Sequence, residues 1–375
     1  MRKRRIAIFT GNYNHIRDGV SNTLNRLVGH LEAKEFEVRV FGPWSPDPVI
    51  EHNGTYIPVY AVPAPGRPEY RISMGLPETE KELLREFKPD LIHIATPDIL
   101  GFMALRFAMK NGIPAVASYH THFSSYLKYY RMGFIAPLLT TYLLWFYRHC
   151  EHLYIPSPSM LEDLKKLGVE TELKLWSRGV DTELFNPDKK NEAWRAEKGF
   201  KEGHFVVTFV SRLVWEKNLM VVAEIFQELR RRNPAIRTMI VGDGPARQEL
   251  SEILPDTVFT GHLEGEELAR SYACSDLFFF PSDTESFGNV TLEAMASGLP
   301  AVVAEASGSR SLVENNENGF RAGSMDKKAF LEHILHISEN EDIRNHMAVA
   351  SRKKSLQYDW ERIMDSLVAC YNEVI

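Results

Sequence analysis

The densest group of chemically capable side chains runs Asp283-Thr284-Glu285-Ser286-Phe287-Gly288-Asn289-Val290-Thr291-Leu292-Glu293 and continues to Gly298. It follows the apolar run Leu277–Phe280, which reads as a buried strand, and enters a helical pattern that Gly298 is suited to end. Glu285 then precedes the helix and Glu293 lies about one turn inside it, so both carboxylates fall near a helix N-terminus. Free N–H groups there attract an anion such as a diphosphate. The carboxylates are strong acceptors for sugar and ribose hydroxyls. The bland alternative has Glu285 capping the helix and Glu293 solvated on it.

Ser211-Arg212-Leu213-Val214-Trp215-Glu216-Lys217 directly follows a second strand pattern, Phe205–Val210. Arg212 and Lys217 at a strand end suit two phosphates, Arg through its fork and Lys as a point charge, although a solvated helix start uses the same residues. Val241-Gly242-Asp243-Gly244-Pro245 is a strand–turn–helix junction, where Gly242 lets a ligand approach the backbone or simply makes a tight turn. In the first half, Asp18-Gly19 joins the first strand to its helix, a weak phosphate-loop signal. His120 and His122 alternate at another strand end. No third ligand stands near them, so a metal is rejected and a single hydrogen-bonding or proton-handling His is preferred.

Short apolar strands alternate with helical patterns along the whole chain, which predicts parallel sheets with crossover helices. Strands are expected at 6–10, 38–41, 91–95, 115–119 and 153–155, then at 205–210, 238–241, 258–260, 277–280 and 301–304. Helices are expected at 20–31, 97–111 and 159–167, the last with a capping box from Ser159 and Glu162, and after residue 186 at 218–232, 245–253, 264–274 and 290–297. The proline-rich stretch 43–77 reads as loop with one short strand near 56–60. At 375 residues two domains are expected. They are an N-terminal unit 1–186 and a C-terminal unit 187–357, with a final helix at 358–375 packing back on the first. Ligands in such sheets bind beyond the strands' carboxyl ends, so two facing units imply one deep cleft.

Residues 1–186 carry 22 Lys and Arg against 20 Asp and Glu, and residues 187–375 carry 22 against 30. The net charge of −6 argues against nucleic acid as a partner, while an anionic surface meeting the N-terminal half stays open. Cys150, Cys274 and Cys370 have no metal or redox spacing. The stretch Met132–Tyr147 is uncharged but short of a membrane span, and the N-terminus has no signal-peptide pattern, so a cytoplasmic chain, peripheral on a membrane at most, is expected. The oligomeric state is not legible.

Together these motifs resemble the retaining glycosyltransferases of the GT-B fold, which include bacterial-type sucrose and glycogen synthases and phosphatidylinositol mannosyltransferases. The Glu285/Glu293 spacing, the Arg212/Lys217 pair and the 178–187 segment, similar to the family's hinge, occur in the family's order. The resemblance implies two Rossmann-like domains. Glu293 would hold the ribose, Glu285 the transferred sugar, and Arg212 and Lys217 the diphosphate. Phe287, Gly288, Asn289 and Val290 would offer backbone N–H groups, Gly19 a phosphate contact and His120 an active-site imidazole. Many members have Gly-Gly where this chain has Asp18-Gly19. Segments 119–122 and 174–181 look most like the branch with sulfoquinovosyl diacylglycerol synthases and glycolipid mannosyltransferases.

The expected reaction moves a sugar from a nucleotide diphosphate sugar (UDP or GDP) to an acceptor hydroxyl with retention. No Asp-x-Asp motif occurs, so neither metal nor cofactor is expected. The aromatic stretch 123–147 and the cations Arg2, Lys3, Arg4, Arg5, Lys128, Arg131 and Arg148 favour a lipid acceptor such as diacylglycerol at an anionic membrane. A nucleotide-sugar 2-epimerase on the same fold and a non-catalytic nucleotide-sugar binding module are the alternatives.

Overall fold

The computed structural model describes residues 2–65, 67–120 and 136–375. The chain forms two compact units, Met1–Ser177 with Glu361–Ile375, and Arg178–Trp360. The first unit contains β1 (Arg5–Phe9), β2 (Glu37–Pro43), β3 (Thr55–Val59), β4 (Ala61–Ala64), β5 (Arg67–Ser73), β6 (Leu91–Ile94), β7 (Ala115–Ser118), β8 (His152–Ile155) and β9 (Glu172–Leu175). Seven of them make a parallel sheet ordered β3-β2-β1-β6-β7-β8-β9. Helices cover it between strands, so β6, β7 and β8 are buried along their whole length.

The proline-rich stretch is more ordered than expected. It supplies β3 and an antiparallel hairpin, β4 with β5, in a separate two-stranded sheet. A two-stranded ribbon has two edges, where Pro63 and Pro68 lose no ladder hydrogen bond that an inner strand would need. The helix over 159–167 starts one residue earlier, at Pro158–Lys166. Its cap is Ser157, whose hydroxyl accepts from Met160 N–H at 3.3 Å, in place of the expected Ser159–Glu162 box. The edge strand β9, the helix Glu78–Phe87 and, in the second unit, the edge strand Gly319–Ala322 were not foreseen: each is short, and polar enough to read as loop or surface.

The second unit contains β10 (Phe205–Val210), β11 (Ile236–Val241), β12 (Val258–Gly261), β13 (Leu277–Phe280), β14 (Ala301–Ala304) and β15 (Gly319–Ala322). All pair in parallel in the order β12-β11-β10-β13-β14-β15, the doubly wound arrangement in which the direction of winding reverses between β10 and β13. Each unit is thus Rossmann-like, as the alternation of strand and helix patterns predicts.

The unit boundaries fall at 177/178 and 360/361, where 186/187 and 357/358 were expected. Packing of the 178–186 segment explains the first shift. Val180 and Phe185 belong to the second unit's core, and Val180 N–H donates to Tyr358 O at 3.0 Å. Arg352 donates to Phe185 O at 2.8 Å and to Thr182 O at 2.9 Å. The last helix, Trp360–Asn372, groups with the first unit from Glu361 onward. There Asp365 lies 2.8 Å from both His30 Nε2 and Lys34 Nζ, and Tyr371 is buried.

Candidate functional site

In the second unit the expected residues converge on the winding reversal. The loop after β10 carries Arg212 and Lys217, and the loop after β13 carries Glu285. Lys217 Nζ donates to Glu285 Oε1 at 2.5 Å and to Thr284 Oγ1 at 3.2 Å. The two loops are tied by Asn218, in a left-handed conformation (φ 57°), whose side chain donates to Pro281 O at 2.8 Å. Arg212 is exposed on the same loop. The residues assigned from sequence to the phosphate and to the sugar are therefore direct partners, so moving one displaces the other.

Three features hold the 285–288 loop over the sheet. Phe287 is buried in the core with its ring 5.8 Å from that of Tyr358. Gly308 N–H donates to Glu285 O at 3.2 Å, and a Cβ on Gly308 would lie 2.6 Å from Phe287 C and O. Gly288 takes a left-handed φ of 95° as the N-cap of the helix Asn289–Ala296. No side chain among the described residues caps this helix, which leaves its first N–H groups, beginning at Asn289 and Val290, for a ligand. The Asn289 Oδ1 atom is also buried without a hydrogen-bond partner among the described residues.

Glu293 is half-buried on the next turn of this helix and accepts from Tyr272 O–H at 3.1 Å. Burial pushes its carboxyl up to about 7, against the opposing pull of the Tyr272 hydrogen bond. Tyr272 and Asn218 carried no signal in the sequence, because each meets its partner only through the tertiary fold.

Gly242 has φ 135°, and a Cβ there would stand 1.9 Å from Ser211 O. Its glycine is explained by the close approach of the loops after β10 and β11. Gly242→Ala is expected to destabilise the protein by about 2–3 kcal/mol, through clash and backbone strain together. The midpoint of urea unfolding measures it; an unchanged midpoint would show that the loops part freely.

In the first unit, Gly19 is exposed at the start of the helix Gly19–Ala33. That helix start is capped by Asp18, which accepts from Val20 N–H at 3.0 Å, Ser21 N–H at 2.8 Å and Asn12 Nδ2 at 2.8 Å. A carboxylate already fills the place a phosphate was expected to use, so the departure from Gly-Gly has a structural counterpart. His120 is buried, with its ring 5.5 Å from the Trp176 ring. His122, on the other hand, lies outside the described residues.

The family model described as Glycosyl transferases group 1 matches residues 190–354, and that of Glycosyltransferase Family 4 matches residues 17–184. The chain is 32% identical to a GDP-mannose-dependent alpha-mannosyltransferase of Corynebacterium glutamicum, across 100% of this chain and 90% of that protein. It belongs to the GT-B glycosyltransferases of these families. The sulfoquinovosyl transferase SQD2 of Arabidopsis thaliana is 31% identical over 95% of this chain and 71% of its own length. The alpha-monoglucosyldiacylglycerol synthase of Acholeplasma laidlawii is 24% identical over 99% and 97%. Among solved structures, sucrose-phosphate synthase from Thermosynechococcus elongatus superposes with a TM-score of 0.80 at 19% identity, covering 99% of each chain, and so shares the fold. In a doubly wound unit ligands bind at such a winding reversal, here the one between β10 and β13.

Proposed function

We propose that this glycosyltransferase moves a hexose from a UDP- or GDP-sugar to a hydroxyl of a membrane glycerolipid, with retention and without a bound metal. The donor half of the reading rests on one observation: the Lys217–Glu285 pair stands at the winding reversal beside an uncapped helix start. Departure of the diphosphate places negative charge where an ammonium and helix N–H groups stabilise it, the largest electrostatic lever available to this reaction. In this reading Glu293 accepts from ribose hydroxyls. Relatives acting with GDP-mannose and forming a glucosyldiacylglycerol support the donor and acceptor classes. A thermal-shift panel of nucleotide sugars tests the donor, since a true one raises the melting temperature by mass action. Full activity in excess chelator is expected; complete loss restored by a divalent ion would overturn the metal-free mechanism.

The acceptor half draws on a surface the sequence did not single out. Between the helices Glu78–Phe87 and Ile99–Asn111 lies a groove of about 660 Å³ lined by Arg106 and Lys110, by Phe102 and Met103, and by Lys81 and Arg85, which pair with Glu78 at 3.2 and 2.6 Å. Met109, also in its lining, is 48% exposed. The cations first counted for the membrane contribute less. Arg2 is paired with Asp90 and Arg5 with Glu37, and Lys128 and Arg131 lie outside the described residues. Of the uncharged stretch, the helix Ala136–Arg148 buries Leu143, Phe146 and Tyr147. Among the described residues no helix is long and apolar enough to cross a membrane.

Each basic residue at an anionic leaflet is worth about 1 kcal/mol, so Arg106 and Lys110 carry most of the attraction, and Lys81 and Arg85, shared with Glu78, add less. Flotation with anionic liposomes at low salt is expected, with loss at raised salt and in an Arg106→Glu, Lys110→Glu variant. Equal flotation of that variant would reject this surface, and transfer only to water-soluble sugars would reject the lipid acceptor.

A further inference from the structure

The two faces of the first unit's sheet differ in kind. Ile92, Ile94, Ala117, Leu153 and Ile155 enter one continuous apolar core. By alternation along the strands, His93, Ser118 and Tyr154 stand on the opposite face. There His93, fully buried in the middle of β6, makes hydrogen bonds with both nitrogens: Nδ1 with the Tyr371 hydroxyl and Nε2 with the Ser118 hydroxyl. Burial pushes the imidazole down to about 3, so the ring is neutral and offers one donor and one acceptor, matched by two hydroxyls that can each do either.

The cluster continues toward the strand end. The Trp176 ring lies 5.7 Å from His93 at 62° and 5.5 Å from His120 at 67°, so both imidazoles stand against it. His120 follows Ser118 by two residues, and Tyr119 N–H donates to Tyr154 O at 2.8 Å. An apolar residue would fill this inner-strand position of a parallel sheet more cheaply than a histidine, because a buried imidazole must keep both partners to avoid a desolvation cost. What the polar residue adds is a fixed geometry: it couples the final helix, through Tyr371, to the strand end that carries His120.

We propose that His93 is a positioning residue of this glycosyltransferase, acting with Tyr371, Ser118 and Trp176 to set the ring of His120. The proposal rests on the assignment of His120 to the transferase site. Two variants each remove one hydroxyl and keep the shape, Tyr371→Phe and Ser118→Ala. Each is expected to lower kcat on the order of 10- to 10²-fold, the cost of a misplaced site group, while donor KM stays within about twofold because the donor residues lie in the other unit. The effect must also run through His120, so adding either change to His120→Ala is expected to cost nothing further. A merely structural role would lower stability and multiply with the His120 loss.

The measurement is a steady-state double-mutant cycle, with nucleotide-sugar binding by calorimetry as the check on folding; Ser118→Ala serves if Tyr371→Phe does not fold. Wild-type kcat in both variants beside an inactive His120→Ala would overturn the positioning role alone, as would losses that multiply. Wild-type turnover in His120→Ala would remove the underlying assignment, and the proposal with it.

Discussion

Replacing Lys217 by Ala is expected to lower turnover by about 10²–10³, the cost of losing one electrostatic donor at a developing negative charge. The expectation is sharpened by what Lys217 touches. Its ammonium is shared between Glu285 and Thr284, so Ala also takes from Glu285 the cation it pairs with at a part-buried loop. The carboxylate then disfavours the diphosphate that Lys217 had favoured. Arg212→Ala should lose turnover in the same range, and Lys217→Arg should recover little, because a planar fork does not reproduce a point charge between two oxygens. The fold should survive in all three, since none of these side chains belongs to the hydrophobic core. Single-turnover transfer at saturating donor measures the effect. A well-folded Lys217→Ala enzyme with near-normal rates would remove the phosphate role of this residue.

Glu293→Ala should act on binding and not primarily on the chemical step. Loss of a charged acceptor for ribose hydroxyls costs about 1.5–3 kcal/mol, or about 10- to 150-fold in donor Kd. The carboxyl is pushed up to about 7 by burial, so its ionised fraction changes within the working range. From pH 8 to pH 6 that fraction falls about tenfold, and donor affinity should fall with it. Stability moves the other way. The folded carboxyl holds its proton up to about 7, whereas the unfolded one releases it near its ordinary value of 4.5. Between those values the unfolded state binds fewer protons, so folding stability declines as pH rises through that window. Glu293→Gln should therefore melt higher than wild type at pH 8 with no such gain at pH 4, while binding donor poorly at both. Calorimetric titration and thermal melts across pH decide it; a pH-independent Kd in the wild type would show that Glu293 does not face the ribose.

The sequence by itself determined the class of architecture and singled out the residues proposed here for the donor site. Apolar runs such as Phe205–Val210 and Leu277–Phe280 are read correctly because a strand covered on both faces must be apolar throughout, whatever surrounds it. The Glu285–Glu293 segment was legible because strand, turn and helix signals are local, and local order places a site at a strand's carboxyl end. The tertiary structure alone decided who meets whom. Tyr272 reaches Glu293, Asn218 reaches Pro281 and Tyr371 reaches His93 across 21, 63 and 278 residues, separations over which no periodicity carries information. It also decided that Asp18 occupies the helix start beside Gly19, and that Arg2 and Arg5 are spent on Asp90 and Glu37. Charge and type can be counted along a chain, but whether a charged group is already satisfied depends on what folding brings within hydrogen-bond reach.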